Sequence, residues 1–427
     1  MSAGYHLKRR GFTRATLPPD ITTPRPATYA PQALTSPTYL ILDAEESAGG
    51  AWLHRPDSLT MTTLNGIFDL PQFSVKQAGL PDVNTPANQA VPQYFAAFEQ
   101  AKNLGVVRPV TVSSVEAIAL SDTTASARTP VQATLARTPV QATSARTPSD
   151  PNTSSGPNLI EVPGGLNSKS EPSGPILTDL PGSPNSKDRP GFRVRTSAGT
   201  FTCAAIINAT GTWNNPVRPH YPGMDTFAGV QLHSRDVRDA ENLLGPVGVV
   251  GGGISAVQLL EQVSRTQRTA WYTRRPPEFL DTPFRGELEG RETIRRVTQH
   301  TEAGGAPRSI VSFTALPWTD YARAAWQRGA LKRRPMFTEI KPKGVVEADG
   351  SFTTLNAIVW ATGYRPALKH LAPLRLENAQ GGIPMDDTRV RKYPNLHLVG
   401  YGPSQSTVGA NRFGWRAALA VSQYLKG

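Results

Sequence analysis

Cysteine is nearly absent from this chain, which contains Cys203 and no other. A lone cysteine cannot form a C-x-x-C redox pair or a cysteine-based metal cluster, so a dithiol reductase mechanism is excluded and no metal site is expected. Long hydrophobic runs are missing too, since no stretch of about 18 apolar residues occurs and no apolar leader with a small-residue cleavage site follows Met1. These absences predict an unexported, cytoplasmic protein with no membrane partner.

Acidic residues are outnumbered, with 33 aspartates and glutamates against 45 lysines and arginines, for a formal net charge of +12. Such an excess is compatible with nucleic-acid binding. However, the basic residues are scattered and accompany no nucleic-acid motif, and anionic dinucleotides would account for basic clefts equally well. We therefore expect small-molecule partners and no nucleic acid. The sequence does not define an oligomeric state.

Proline is abundant, with 39 residues, and the hydrophobic fraction of 38% is low for a globular chain of 427 residues. Two segments are rich in proline. Residues 121–190 contain a nine-residue repeat, with ARTPVQAT at 127–134 and again at 136–143, and residues 13–38 contain six more prolines. Neither segment offers a periodic apolar face, so we expect both to be disordered insertions.

The remaining sequence alternates short apolar strands with amphipathic helices, a pattern that favours parallel sheets. The expected helices cover residues 2–10 and about 412–425. The expected strands cover 39–43, 192–196, 204–208, a segment from 247, 357–360 and 396–399.

The strongest motif begins at Val247. An apolar run leads into G-x-G-x-x-A, formed by Gly251, Gly253 and Ala256, and a helix-like segment follows. Gly251 permits the turn, Gly253 lets the backbone approach a phosphate because it has no Cβ, and Ala256 allows close packing of helix and strand. The helix N-terminus would then bind a pyrophosphate. Residues 269–273 lie at the distance expected of the second strand of a βαβ unit.

The predicted second strand is followed by Arg274 and Arg275, where an NAD site usually presents an acidic residue to the ribose 2′-hydroxyl. Two guanidinium groups at this place suit a 2′-phosphate, which favours NADP(H) over NAD(H). The alternative is that both arginines are solvated loop charges.

Other strand ends carry the same kind of signal. The strand at 41–43 ends in Asp43, which could accept hydrogen bonds from a ribose diol, and Gly49-Gly50-Ala51-Trp52 follows it. Two further strands run into A-T-G, at 209–211 and at 361–363. Small residues at the end of a strand let the chain cross beside a dinucleotide in a doubly wound sheet. Two copies predict two such crossings.

With these motifs, the chain resembles the flavin-containing and Baeyer-Villiger monooxygenase group of flavoproteins. The resemblance rests on G-G-x-W at 49–52, the two A-T-G strands, the NADP-type turn, and Phe227–Ser234, which is similar to the F-x-G-x-x-x-H-S fingerprint of the group. It implies an α/β fold with two Rossmann-like dinucleotide-binding domains. The expected divisions are an FAD-binding domain from 1–120, 191–235 and 356–427, an NADP-binding domain from 236–355, and the low-complexity insertion 121–190.

The resemblance also implies FAD and NADP(H) as cofactors. NADPH would reduce the flavin, the reduced flavin would capture O2 as a C4a-(hydro)peroxyflavin, and one oxygen atom would enter a small organic substrate at N, S or a ketone. His233 would be a structural or gating residue rather than a base, or simply a packed histidine near a domain linker. The residues implied at the cofactors are Asp43, Gly49, Gly50, Trp52, Thr210, Gly211 and Gly363 on the FAD side, and Gly251, Gly253, Ser255, Arg274 and Arg275 on the NADPH side.

Three positions depart from the pattern of the group. Its members have a strand and a GxGxxG turn ahead of a helix resembling Ser2–Gly11, so we expect this sequence to begin inside the FAD-binding unit, truncated relative to the group. Val237 stands where the fingerprint usually ends in an aromatic residue. Residues 58–65 resemble a segment that carries an active-site Asn in some members, but the alignment does not place that Asn cleanly. Asn65 is the candidate for this catalytic residue.

Two alternatives to oxygenation stay open. One is an NADPH-dependent flavoprotein reductase that passes electrons onward, and the other is a truncated, inactive NADP-binding remnant. Loss of the FAD-side phosphate turn would remove several hydrogen bonds of roughly 1.5–3 kcal/mol each. The sequence does not identify the substrate, because the lining of the active site is spread over loops.

Overall fold

The computed structural model describes residues 1–15, 37–62, 69–79, 84–119, 131–135, 190–280, 288–308, 313, 315–405 and 407–426. Its helices are α1 Ser2–Arg9, α2 Ala87–Ala101, α3 Ile254–Val263, α4 Leu288–Glu302, α5 Asp320–Gln327 and α6 Thr407–Lys426. Its strands are β1 Thr13–Arg14, β2 Thr38–Asp43, β3 Val106–Val107, β4 Val112–Ala119, β5 Val131–Leu135, β6 Pro190–Thr196, β7 Gly199–Cys203, β8 Ile206–Asn208, β9 Val230–His233, β10 Val247–Val250, β11 Thr269–Tyr272, β12 Arg333–Arg334, β13 Glu339–Lys341, β14 Gly344–Val346, β15 Phe352–Thr354, β16 Ala357–Trp360, β17 Met385–Asp386, β18 Arg389–Val390 and β19 Tyr393–Leu398.

The larger sheet has the strand order β1-β2-β5-β8-β19-β18-β17, with β3 also paired to β2. Strands β1, β2, β3, β5, β8 and β19 run parallel. Strand β2 is buried on both faces, as a strand inside a parallel sheet should be. Tyr39 and Ile41 pack against helices α1, α2 and α6, whereas Leu40 and Leu42 pack against the antiparallel sheet β4-β6-β7.

The second sheet has the order β12-β11-β10-β16-β9 and is parallel throughout. Val247 and Val249 pack against α3, while Val250 and Trp360 pack against the antiparallel sheet β13-β14-β15. Both parallel sheets therefore have the same three-layer plan, with helices on one face and a small antiparallel sheet on the other. This confirms the predicted α/β class with two dinucleotide-binding sheets.

Residues 131–135 depart from the expectation that the whole segment 121–190 is disordered. They form β5, which lies between β2 and β8 with Tyr39 opposite Val131 and Gln132 opposite Ile206. The sequence argument considered only side-chain periodicity. Parallel pairing uses backbone groups, and the facing edges of β2 and β8 present N–H and C=O groups that require partners when buried. Residues 121–130 and 136–189 lie outside the described residues.

The expected proline-rich insertion at 13–38 is also shorter than predicted. Thr13 and Arg14 form β1, which pairs with Thr38 and Tyr39 of β2. Residues 16–36 lie outside the described part of the chain. No helix in the described residues is long and apolar enough to cross a membrane.

Candidate dinucleotide sites

The glycine turn after β10 connects the strand directly to helix α3. Strand β10 ends at Val250, Gly253 is the N-cap residue, and α3 begins at Ile254. Because Gly253 has no side chain, it cannot cap the helix with a hydrogen bond, and the helix N-terminus faces outward with Ser255 exposed in its first turn. Backbone N–H groups and the positive end of the helix dipole suit an anion at this place.

The two glycines of this turn are required for different reasons. Gly251 has φ +141°, and a Cβ there would lie 2.1 Å from the carbonyl oxygen of Ala361, so the close approach of β10 to β16 requires glycine. Gly253 has φ −107°, which any residue adopts, and a Cβ there would meet nothing within 4 Å. The fold therefore does not require glycine at 253. The open space beside it is the place that a phosphate would need.

We expect Gly253→Ala to leave the melting temperature unchanged and to weaken NADPH binding at least about tenfold, because an added methyl group keeps a phosphate from the helix N-terminus. Gly251→Ala should instead lower the melting temperature, because its Cβ overlaps a backbone carbonyl. Thermal unfolding and fluorescence titration with NADPH measure the two effects. A Gly253→Ala variant that binds NADPH like the wild type would contradict the assignment of the turn.

Arg274 and Arg275 are both exposed immediately after β11. The loop that carries them is held by Arg333 of β12, whose Nε donates to Thr273 Oγ1 and whose Nη2 donates to the Thr273 carbonyl, both at 3.0 Å. The Thr273 hydroxyl in turn donates to the Arg275 carbonyl at 2.8 Å. Sequence reasoning missed Arg333. Arg333 reaches this loop only through folding. Strand β12 is distant from β11 in sequence, but the two strands pair in parallel, so their carboxyl ends lie side by side.

Asp43 lies at the end of β2 and is 5% exposed. Its Oδ2 accepts from Arg108 Nε at 2.8 Å, and its Oδ1 accepts from the backbone N–H of Glu45 at 3.3 Å. Arg108 also donates two hydrogen bonds of 2.7 Å to Glu99. A carboxylate has further lone pairs, so a ribose hydroxyl remains a compatible partner. Arg108 and Glu99, which fix the carboxylate, were not predicted.

The G-G-x-W segment forms a tight turn beside helix α2. Gly49 has φ +129° and Gly50 has φ +58°, and a Cβ on Gly49 would lie 2.8 Å from Pro92 Cγ. Helix α2 lies so close to Gly49 that any side chain at this position would overlap Pro92. Trp52 lies in the short 3₁₀ turn Gly50–His54 and is half-buried.

Small residues follow β8 and β19 at the same edge of the larger sheet. Gly211 has φ +63°, a Cβ there would meet nothing within 4 Å, and a Cβ on Gly400 would lie 3.5 Å from Gly211 Cα. The two glycines are therefore neighbours, and the open space beside Gly211 suits a dinucleotide at this edge. The Thr210 hydroxyl donates to the Ala367 carbonyl at 2.9 Å and accepts from Asn208 at 3.1 Å. Gly400 was not predicted, although it follows its strand as Gly211 follows β8.

Comparison with known proteins agrees with this arrangement. Residues 185–286, which include the β10–α3 turn, match the model of the pyridine nucleotide-disulphide oxidoreductase family. The flavin-containing monooxygenase of Stenotrophomonas maltophilia is 26% identical and superposes with a TM-score of 0.63, over 99% of this chain and 94% of that one. The chain is thus similar to flavin-containing monooxygenases over nearly its whole length.

Curated relatives in the group match over shorter stretches. A Baeyer-Villiger monooxygenase of Streptomyces coelicolor is 32% identical over 87 residues, and a trimethylamine monooxygenase of Pelagibacter ubique is 35% identical over 99 residues. These stretches cover 20% and 21% of this chain and 17% and 22% of the relatives. Cys203 is buried and is the one cysteine of this sequence.

The histidine of the monooxygenase fingerprint is a packed residue. His233 is 0% exposed at the end of β9, its Nε2 lies 3.0 Å from the Gly363 carbonyl, and its Nδ1 accepts from the Arg235 N–H at 3.2 Å. Burial lowers the pKa of His233 to about 4. A neutral ring with both nitrogens engaged is unsuited to accept a proton. The hydrogen bond to Gly363, which has φ +78°, ties β9 to the second A-T-G turn.

Two other sequence departures have different outcomes. Val237 is 4% exposed and packs in the same core cluster as Val247 and Leu260, so the position is filled by an ordinary aliphatic core residue. Asn65 lies outside the described residues, and its proposed catalytic role stays a prediction.

Buried neutral histidines predict acid sensitivity. Burial lowers the pKa of His233 and His370 to about 4 and that of His397 to about 3. An unfolded histidine titrates near about 6.5, so between these values the unfolded chain binds more protons than the folded one. The free energy of unfolding should therefore fall as pH drops below about 6.5, by up to about 1.4 kcal/mol per pH unit for each histidine.

Urea unfolding between about pH 7 and about pH 4.5 measures this slope. His370→Gln should reduce this slope, because it removes one buried histidine from the titration. A stability that is flat or rises on acidification would contradict the neutral assignment.

Proposed function

We propose that the chain binds FAD at the carboxyl edge of β2, β8 and β19 and NADPH at the β10–α3 turn. We further propose that it inserts one atom of O2 into a small organic substrate at N, S or a ketone. The main support is that each A-T-G turn is hydrogen-bonded to the segment that follows the other turn. The Ala367 N–H donates to the Gly211 carbonyl at 2.8 Å, and the Val217 N–H donates to the Gly363 carbonyl at 3.0 Å. The contact joins the carboxyl edges of the two dinucleotide sheets at one seam.

The residues present fit both groups. Gly253 and Gly211 leave open space at the two edges, Arg274 and Arg275 supply cations for a 2′-phosphate, and Asp43 presents a fixed carboxylate. When bound, FAD would take a hydride from NADPH and react with O2. The protein would position both groups, since Arg333 orients the arginine loop and His233 fixes the Gly363 turn. Trp213 is 5% exposed and would help to keep water away from the bound groups.

The test begins with the full chain incubated with FAD and freed of excess by gel filtration. Bound flavin should give visible absorbance, and NADPH oxidation should consume O2 and convert trimethylamine, methyl phenyl sulfide or cyclohexanone to the oxygenated product. Asp43→Asn should weaken flavin retention. Glu116→Gln is the control, since Glu116 pairs with Arg193 and Arg195 on the β4-β6-β7 sheet.

The outcomes separate the alternatives. Flavin-dependent reduction of ferricyanide without O2 and without oxygenated product would identify an NADPH-dependent reductase. Failure to retain flavin would overturn the proposal and favour an NADP-binding remnant.

A further inference from the structure

An arginine and a set of aromatic side chains form a cluster beside the seam, which we call the Arg55 cluster: Trp52, Arg55, Trp213, Asn214 and Tyr364. The Arg55 guanidinium lies over the ring of Trp213 at 4.5 Å and over that of Trp52 at 5.5 Å. Trp213 in turn stacks on Tyr364, with ring centroids 5.4 Å apart. Tyr364 directly follows Gly363, so the cluster adjoins the contact between the two sheets.

The charge of Arg55 has no anionic partner in the described part of the chain. The acids nearby are engaged elsewhere, Glu45 with His54 at 3.0 Å and Asp236 with Arg218 and Arg235 at 3.1 and 3.3 Å. Burial lowers the pKa of Arg55, although its guanidinium stays protonated. The cation–π contacts with two tryptophans offset only part of the desolvation of a buried cation.

Hydrogen-bonding groups of the cluster are also left without partners. Arg55 Nε, Trp213 Nε1 and both amide atoms of Asn214 are buried and make no hydrogen bond to any described residue. Buried polar groups are normally satisfied, so this concentration is unusual. Three of the four atoms are N–H donors, which match an acceptor with several oxygens. The backbone of Arg55 is held in place, because Asn88 Nδ2 donates to its carbonyl at 3.0 Å.

We propose that the Arg55 cluster binds an anionic oxygen group, a carboxylate or a phosphate, of a small molecule that lies in the seam. The anion neutralises Arg55 and accepts hydrogen bonds from Arg55 Nε, Trp213 Nε1 and the Asn214 amide. Two molecules carry suitable groups, a dinucleotide through its phosphates and a substrate through a carboxylate. Binding at this cluster requires neither bound flavin nor oxygenation.

The test compares the wild-type chain with Arg55→Gln and Arg55→Lys. Each is titrated calorimetrically with NADPH, inorganic pyrophosphate and phenylacetate, with no flavin added. Charge-assisted hydrogen bonds are worth roughly 1.5–3 kcal/mol, so Arg55→Gln should weaken the bound probe about 10- to 100-fold. Arg55→Lys should retain part of the affinity, since it keeps the charge and loses the planar fork. Arg238→Gln is the matched control, because Arg238 is a neighbouring, exposed arginine whose guanidinium donates to the Arg55 carbonyl at 3.4 Å and not to its side chain.

The probes distinguish the source of the anion. Weaker binding of NADPH and pyrophosphate, with phenylacetate unchanged, would place a dinucleotide phosphate at Arg55. Weaker binding of phenylacetate alone would place a substrate carboxylate there. Equal affinities of wild type and Arg55→Gln for all three probes, or an equal loss in Arg238→Gln, would overturn the proposal. Arg55→Lys, which keeps the charge, decides the case if Arg55→Gln fails to fold.

Discussion

Replacing Arg274 and Arg275 together with alanine is expected to weaken NADPH binding about a hundredfold or more and to change NADH binding by less than about threefold. Both guanidinium groups are exposed just after β11, in a loop fixed by Arg333. Each charge-assisted hydrogen bond to a phosphate is worth roughly 1.5–3 kcal/mol, and two of them at the lower end already give more than a hundredfold. NADH lacks the 2′-phosphate, so it loses none of these bonds.

The matched control is Arg295→Ala with Arg296→Ala. These arginines are also adjacent, exposed and in the same part of the chain, but they pair with Glu292 on α4. Fluorescence titration of both double variants with NADPH and NADH separates a specific contact from a general loss of positive charge. An equal loss of affinity for both cofactors in the Arg274 and Arg275 variant would rule out the 2′-phosphate assignment.

Proline at positions 132 and 134 is expected to destabilise the larger sheet. Gln132 and Thr134 lie in β5, between β2 and β8, opposite Leu40 and Leu42 on one side. Gln132→Pro with Thr134→Pro removes two backbone N–H donors from the centre of a parallel sheet and leaves their acceptors unpaired. At about 1–3 kcal/mol for each unpaired group, the melting temperature should fall by about 4 °C or more.

The repeat itself supplies the control. Gln141 and Thr143 occupy the same places in the second copy of ARTPVQAT, so Gln141→Pro with Thr143→Pro makes the identical change in composition. Differential scanning calorimetry should show little effect of this second pair. A variant with all four prolines tests whether the second copy of the repeat can take the place of the first as the strand between β2 and β8. If all three variants melt at the wild-type temperature, β5 contributes nothing to the stability of the sheet.

Patterns within a few consecutive residues predicted the strands and glycine turns at the candidate sites. The apolar run from Val247 into Gly251 predicted a strand and a turn, and Gly251 is indeed constrained by the close Ala361 carbonyl. The A-T-G ending at Gly363 likewise marked a strand end beside the seam. Such patterns are readable because strand periodicity and the conformational freedom of glycine are properties of a few consecutive residues.

Contacts between distant residues were not readable in the same way. Arg108 meets Asp43, Arg333 meets Thr273, and Trp213 meets Arg55 across separations that no local pattern encodes. The pairing of β5 depends on backbone groups, which every residue of a low-complexity segment possesses. The position of β5 in the sheet therefore could not be predicted from side-chain periodicity.

The sequence by itself determined the α/β class, the strand, glycine turn and helix around Gly251 and Gly253, and the resemblance to flavin monooxygenases, because each depends on residue types at short spacing. Only the tertiary structure decided that His233 is buried, with a pKa that burial lowers, and that Arg55 is a cation without an anionic partner in the described residues. Charge state and hydrogen-bond satisfaction depend on burial and on neighbours brought together by folding. These quantities are set by the packed environment, which adjacent residues in the sequence do not specify.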